Sequence, residues 1–144
     1  MTTARVRRIL AVDFGDARTG LAATDWTGSI TVPLPRLDER DETKLVAAIA
    51  AIVRERETEV VVVGMPLSAD GSAGQRAQKT NGFRERLQKA LPCPVHAIDE
   101  SSSTDEAHER LKAGGMKASR RKELADSVAA LVILERYRSA HPHS

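Results

Sequence analysis

Aromatic side chains are scarce in this sequence, at 3% of residues: two Phe, one Tyr and one Trp. A recognition surface built from bases stacked on rings is therefore not expected. Cysteine is nearly absent too. The single thiol, Cys93 between Pro92 and Pro94, excludes an internal disulfide and fits a reducing cytoplasm. It reads as a small buried hydrophobe. No apolar run comes near the roughly 20 residues that cross a bilayer, so no membrane partner is expected. The opening MTTARVRRIL has basic residues but neither an apolar stretch nor a cleavage site, and no signal peptide is expected. The histidines, His96, His108, His141 and His143, lack a zinc-ligand spacing. A large charge of one sign is also missing: net +2 does not by itself announce a nucleic-acid binder.

What is present is an ordinary globular composition, 41% hydrophobic and 29% charged over 144 residues. A chain of this length is expected to form one domain, 1–144, whose core needs no disulfide or structural metal. Basic residues gather in three places. Arg5, Arg7 and Arg8 precede the first apolar run, Arg76, Lys79, Arg84, Arg86 and Lys89 share one helical stretch, and Lys117, Arg120, Arg121 and Lys122 precede the last. Each group could contact phosphates or simply form a solvated face.

The periodicity gives an element order. RILAVD is a short apolar run and reads as a buried strand; TGLAATD and SITVPLP follow, separated by a turn at Thr27 and Gly28. Strands this close predict an antiparallel meander. Leu45, Val46, Ile49, Ile52 and Val53 then mark one face of a helix over residues 41–56. The β-branched run EVVVVGMP predicts a central parallel strand covered on both faces. A further helix presents Ala73, Ala77, Thr80, Leu87 and Leu91, with Ser72 as its cap. PVHAID is a strand, STDEAHERL opens a helix with Ser103 and Glu106 spaced as a capping box, and Gly114 and Gly115 end it. The last helix runs from about Ser119 to Ser139. The expected fold is α/β: a mixed five-stranded sheet, an antiparallel three-strand meander plus two parallel strands, with helices on both faces. The first strand belongs near its centre.

Two of these strands end in acids, Asp13 in AVD and Asp99 with Glu100 in HAIDE. If the strands run parallel, these acids emerge at one edge, where α/β ligand sites form. A third acid, Asp126, stands in helical register with Ala130, Ile133 and Tyr137 on a helix that is apolar all round from Val128 to Leu134. An ionised acid at such a place needs compensation. Three converging carboxylates can supply it by holding Mg²⁺ or Mn²⁺, which prefer oxygen ligands and can serve phosphodiester hydrolysis. Each acid also has an ordinary reading. Asp13 could cap the turn at Gly15, Asp99 or Glu100 could pair with an arginine, and Asp126 could be an early-turn acid paired with Arg121 or Lys122.

Four segments carry a resemblance: AVDFGDARTGLAATD, VVVGMPLSADGSAG, IDESSSTDEA and DSVAALVIL. In this order and at these spacings the chain resembles, over residues 8–138, the YqgF/RuvX family, the RuvC-related Holliday-junction resolvases also described as pre-16S rRNA nucleases. The resemblance implies an RNase H-like fold and a hydrolase that cleaves structured nucleic acid with Mg²⁺ or Mn²⁺ as cofactor. It implies Asp13, Glu100 and Asp126 as catalytic and metal-binding residues, with Asp99 a further candidate ligand. Pre-rRNA in the small-subunit precursor is then the expected partner, in maturation of the 5′ end of pre-16S rRNA, by a monomer or weak homodimer. Branched-DNA cleavage, or a non-catalytic role as a nucleic-acid-binding ribosome-assembly factor, is the alternative. Arg18, Arg76, Lys79, Arg120, Arg121 and Lys122 are the candidate nucleic-acid contacts. The chain departs from the family pattern at Ser101, where an arginine usually follows Asp-Glu, and at Asp16 and Ala17, where a threonine and a basic residue are usual. Arg18 or Lys122 could replace the missing arginine. Asp16 could join the metal or repel substrate.

Overall fold

The computed structural model describes residues 8–25, 30–65, 74–99 and 118–140, the last of these with side-chain detail over 127–139. The expected strands are all found: β1 Ile9–Asp13, β2 Thr19–Thr24, β3 Thr31–Leu37, β4 Val60–Met65 and β5 Val95–Asp99. The helices are α1 Glu42–Arg56, α2 Gly74–Ala90 and α3 Ala118–Ala140. The turn at Thr27 and Gly28, Ala73, the Ser72 cap and the helix expected after Ser103 lie outside the described residues.

The strands form one sheet in the order β3-β2-β1-β4-β5. β1 runs antiparallel to β2, and β2 antiparallel to β3; β1 and β5 both run parallel to β4. The meander and the parallel pair thus meet at β1, which is central as expected. β4 is buried along its whole length, the consequence of helices on both faces. The outer strand β3 carries exposed Pro33 and Pro35, residues tolerated where no further strand pairs.

Strand alternation sorts the core into two layers. Leu10 and Val12 of β1, Leu21 and Ala23 of β2 and Val61 and Val63 of β4 pack with Leu45, Ile49 and Val53 of α1 and Phe83 and Leu87 of α2. The intervening residues, Ile9, Ala11, Ala22, Val60 and Val62, pack with Ala130, Ile133, Leu134 and Tyr137 of α3. The face read from the sequence for α1 is the face it buries. Asp41 starts α1, its carboxylate accepting from the Lys44 N–H at 3.1 Å. Glu57 ends it in the left-handed region at φ 54°, and the Thr58 N–H returns to the Val53 carbonyl at 3.0 Å.

For α2 the reading was incomplete. Thr80 and Leu87 are buried as expected, Ala77 is only half-buried, and Leu91 is buried just past the helix end. The largest side chain on that face is Phe83, fully buried, which the sequence pattern did not single out. Cys93 is buried, as expected, and burial raises its thiol pKa. In α3, position 126 lies more than two turns beyond Ala118. It is not near the start of the helix, and the helix dipole, which acts within the first turn, does not compensate an acid there.

Candidate active site at the carboxyl edge of the sheet

β1, β4 and β5 are mutually parallel, so their carboxyl ends share one edge. Asp13 closes β1 and Asp99 closes β5 at that edge. Only β4 separates the two strands, an interval of roughly 10 Å. Asp13 is half-buried. It lies two and four positions from Ala11 and Ile9, whose side chains lie against α3, so Asp13 belongs to the α3 face of the sheet. The row Ala130, Ile133 and Tyr137 is on the same face. Position 126 precedes Ala130 by one turn; its side chain lies outside the described residues, as does Glu100.

Asp99 is different. On β5, His96 stacks on Tyr137 of α3 at 6.3 Å and Ile98 packs in the α3 layer, whereas Val95 is in the opposite layer. Alternation therefore gives Asp99 the α1/α2 face, across the sheet from Asp13. Its carbonyl accepts from Arg136 Nη1 at 3.2 Å. The sequence left Asp99 and Glu100 as a pair; the strand register separates Asp99 from Asp13.

The strands flanking Asp13 carry glycine beside it. Gly20 of β2 is its direct partner, and the register Val12 with Val63 continues to Gly64 of β4. No side chain crowds the carboxylate from either neighbouring strand. The position of Gly64 beside Asp13 depends on register, which a single strand does not encode.

The turn after Asp13 is held from several directions. Phe14 is buried, with its ring stacked on Phe83 of α2 at 4.1 Å and 8° between planes. The Phe14 carbonyl accepts from Arg76 Nη2 at 2.8 Å. A Cβ on Gly15 would come within 2.3 Å of the Arg18 carbonyl oxygen, so no larger residue fits without moving the turn. Asp16 then reaches back to α2, where Arg76 lies 3.6 Å away and Lys79 donates directly to its carboxylate. The hydrogen bond and charge of Lys79, followed by the charge of Arg76, hold the Asp16 carboxyl below the usual carboxylate range. The sequence left open what Asp16 does; among the described residues its partners are these two cations of α2. Arg18 is exposed in the same turn. Arg120, Arg121 and Lys122 fall in the first turns of α3, with side chains outside the described residues.

Thr19 of β2 and Thr80 of α2 are buried with hydroxyls that find no partner among the described residues. Among the described residues no cluster of three His, Cys, Asp or Glu forms, and no helix is long and apolar enough to cross a membrane.

Comparison with known proteins adds to this picture. The family described as "RuvX: Holliday junction resolvase" matches residues 7–139. A Synechococcus elongatus protein named "Putative pre-16S rRNA nuclease" is 41% identical over 128 residues, which is 89% of this chain and 86% of the relative. A Chloroflexus aurantiacus protein of the same name is 36% identical over 132 residues, 92% of this chain and 86% of its own length. Among solved structures, T. thermophilus RuvC in complex with a Holliday junction substrate superposes with a TM-score of 0.59 at 15% identity, covering 94% of this chain and 96% of that one. The fowlpox virus Holliday junction resolvase gives 0.55 at 13% identity, covering 92% and 98%. Likeness at this level of identity shows a shared fold. With the family match spanning residues 7–139, and relatives this similar over most of their length, the chain belongs to the RuvX family.

Proposed function

We propose that this protein is a divalent-metal-dependent nuclease that hydrolyses phosphodiester bonds of structured RNA in maturation of the 5′ end of pre-16S rRNA. Family membership supports the reaction class, and the name shared by the curated relatives supports the RNA substrate. The observation that carries the reading is Asp13: a half-buried carboxylate at the carboxyl edge, flanked by glycine on both strands.

The donor set suits a hard divalent cation. Asp13, Glu100 and Asp126 offer carboxylate oxygens with no thiol or imidazole among them, which favours Mg²⁺ or Mn²⁺. Of Asp99 and Glu100, Glu100 is the better candidate, because Asp99, which ends β5, belongs to the face opposite Asp13. When bound, such a cation supplies a water of lowered pKa and stabilises charge on the leaving oxygen. The chain itself contributes position. Phe14 anchors the turn after Asp13 in the core, Arg76 holds the Phe14 carbonyl, and Arg18, Arg120, Arg121 and Lys122 are the proposed phosphate contacts. No membrane partner and a cytoplasmic location accompany this reading.

The test is cleavage of a pre-16S rRNA 5′-end fragment in Mn²⁺. Wild type is expected to cut it, with activity falling to background in EDTA and in Asp13→Asn. Cleavage that survives either treatment overturns the metal site. A second reading, cleavage of branched DNA, is favoured by the description of the family itself. A four-way DNA junction in the same assay decides between them. Wild type that binds RNA and cuts neither substrate is the signature of a non-catalytic assembly factor.

A further inference from the structure

The basic residues of α2 read as phosphate contacts in the sequence, yet Lys79 and Arg76 are already engaged. Asp16 places one carboxylate oxygen against Lys79 and the other 3.6 Å from Arg76. The two cations differ. Arg76 also donates to the Phe14 carbonyl at 2.8 Å, which fixes it to the turn. Lys79 has Asp16 as its partner among the described residues. All three side chains reach solvent: Asp16 is 63% exposed, Lys79 53% and Arg76 40%. Exposed ion pairs contribute little net free energy, so another anion can displace one at little cost. The cluster begins three residues after Asp13, on the turn leaving the carboxyl edge.

We infer that Asp16 is a built-in stand-in for phosphate: its carboxylate occupies Lys79 and one arm of Arg76 in the free protein, and a phosphate of the bound RNA takes its place. The inference rests on the nucleic-acid reading proposed above. Two anions then compete for one pair of cations, and the acid sets how tightly RNA binds. Arg76 stays tethered to the Phe14 carbonyl through the exchange, so Lys79 is the cation that changes partner. A neutral residue at position 16 would leave the same lysine open to RNA without competition.

The experiment is a fluorescence titration of a labelled stem-loop RNA carrying the pre-16S rRNA 5′ end, in EDTA so that nothing is cut, over a range of salt. Wild type, Asp16→Asn, Asp16→Ser, Lys79→Gln and the double variants are compared, with thermal unfolding confirming that each is folded. Asp16→Asn and Asp16→Ser are expected to bind several-fold tighter. Their salt dependence should steepen by about 0.7–0.9 in the log–log slope for each cation released to phosphate. Lys79→Gln should weaken wild-type binding, and in that background the gain from Asp16→Asn should largely vanish. An unchanged or weaker affinity in the Asp16 variants overturns the inference. So does an equal gain with and without Lys79, which would make Asp16 a repelling charge and nothing more. Absence of RNA binding by wild type overturns the proposed function itself, a distinct outcome.

Discussion

Asp16 and Asp13 are three residues apart and have opposite settings. Asp13 is half-buried beside two glycines, and Asp16 is exposed between two cations. The motif in which they sit was legible in the sequence, and so was the place of Asp13 at a strand end. The partners of Asp16 were not. Arg76 and Lys79 lie sixty or more positions away, and no local spacing joins a turn to a helix that far along the chain. The pairing has a measurable consequence. The Asp16 pKa is depressed in the folded state, so its contribution to stability is fully present above the unfolded value and is lost as pH falls through the folded one. A carboxyl titration followed by NMR should place its midpoint below that of an ordinary aspartate, and Lys79→Gln should move it upward. A midpoint that ignores Lys79 would mean the ion pair does not persist in solution.

At the scale of elements, the sequence showed α1 well and α2 poorly. The stripe of α1 is regular: Leu45, Ile49 and Val53 are aliphatic, spaced by four and all buried. The stripe of α2 mixes Thr80, Phe83 and Leu87 among charged neighbours, so its amphipathic signal is weak. Among the contacts that hold α2 is one ring pair, Phe14 on Phe83, joining the turn after β1 to the helix. Phe83→Ala should therefore cost about 3–5 kcal/mol in denaturant unfolding. The same change should loosen the turn that carries Asp13, so nuclease activity should drop further than the folded fraction does. A loss of stability without that extra loss of activity would confine Phe83 to a packing role. The acids of β5 show another limit of reading a sequence. Asp99 and Glu100 are equivalent as text, and only the pairing of His96 and Ile98 with the α3 layer assigns Asp99 to the other face.

For the molecule as a whole, the meander, the parallel strands and the central place of β1 were legible in the element order, because few topologies satisfy a meander followed by parallel crossovers; the full strand order came from the structure. That arrangement leaves the carboxyl edge as the meeting place of β1, β5 and the face covered by α3. The two layers that flank the sheet are unlike each other. The α1/α2 layer is filled by Phe, Leu and Val, while the α3 layer meets the sheet centre through Ala11, Ala22 and Ala130, each with no more than a methyl group to interpose. The alanines work as a shim. They let α3 pack closely on β1, and under the proposed function that standoff sets the gap between the acid on the sheet and the one on the helix. One added branch at this contact would widen the gap at a distance from the chemistry. Ala11→Val should cost about 1–3 kcal/mol by overpacking and should reduce cleavage well beyond that cost, with RNA affinity little changed. If activity follows stability alone, the standoff of α3 is not what tunes the site. Otherwise, the reach of the reaction is calibrated by three of the smallest side chains in the core.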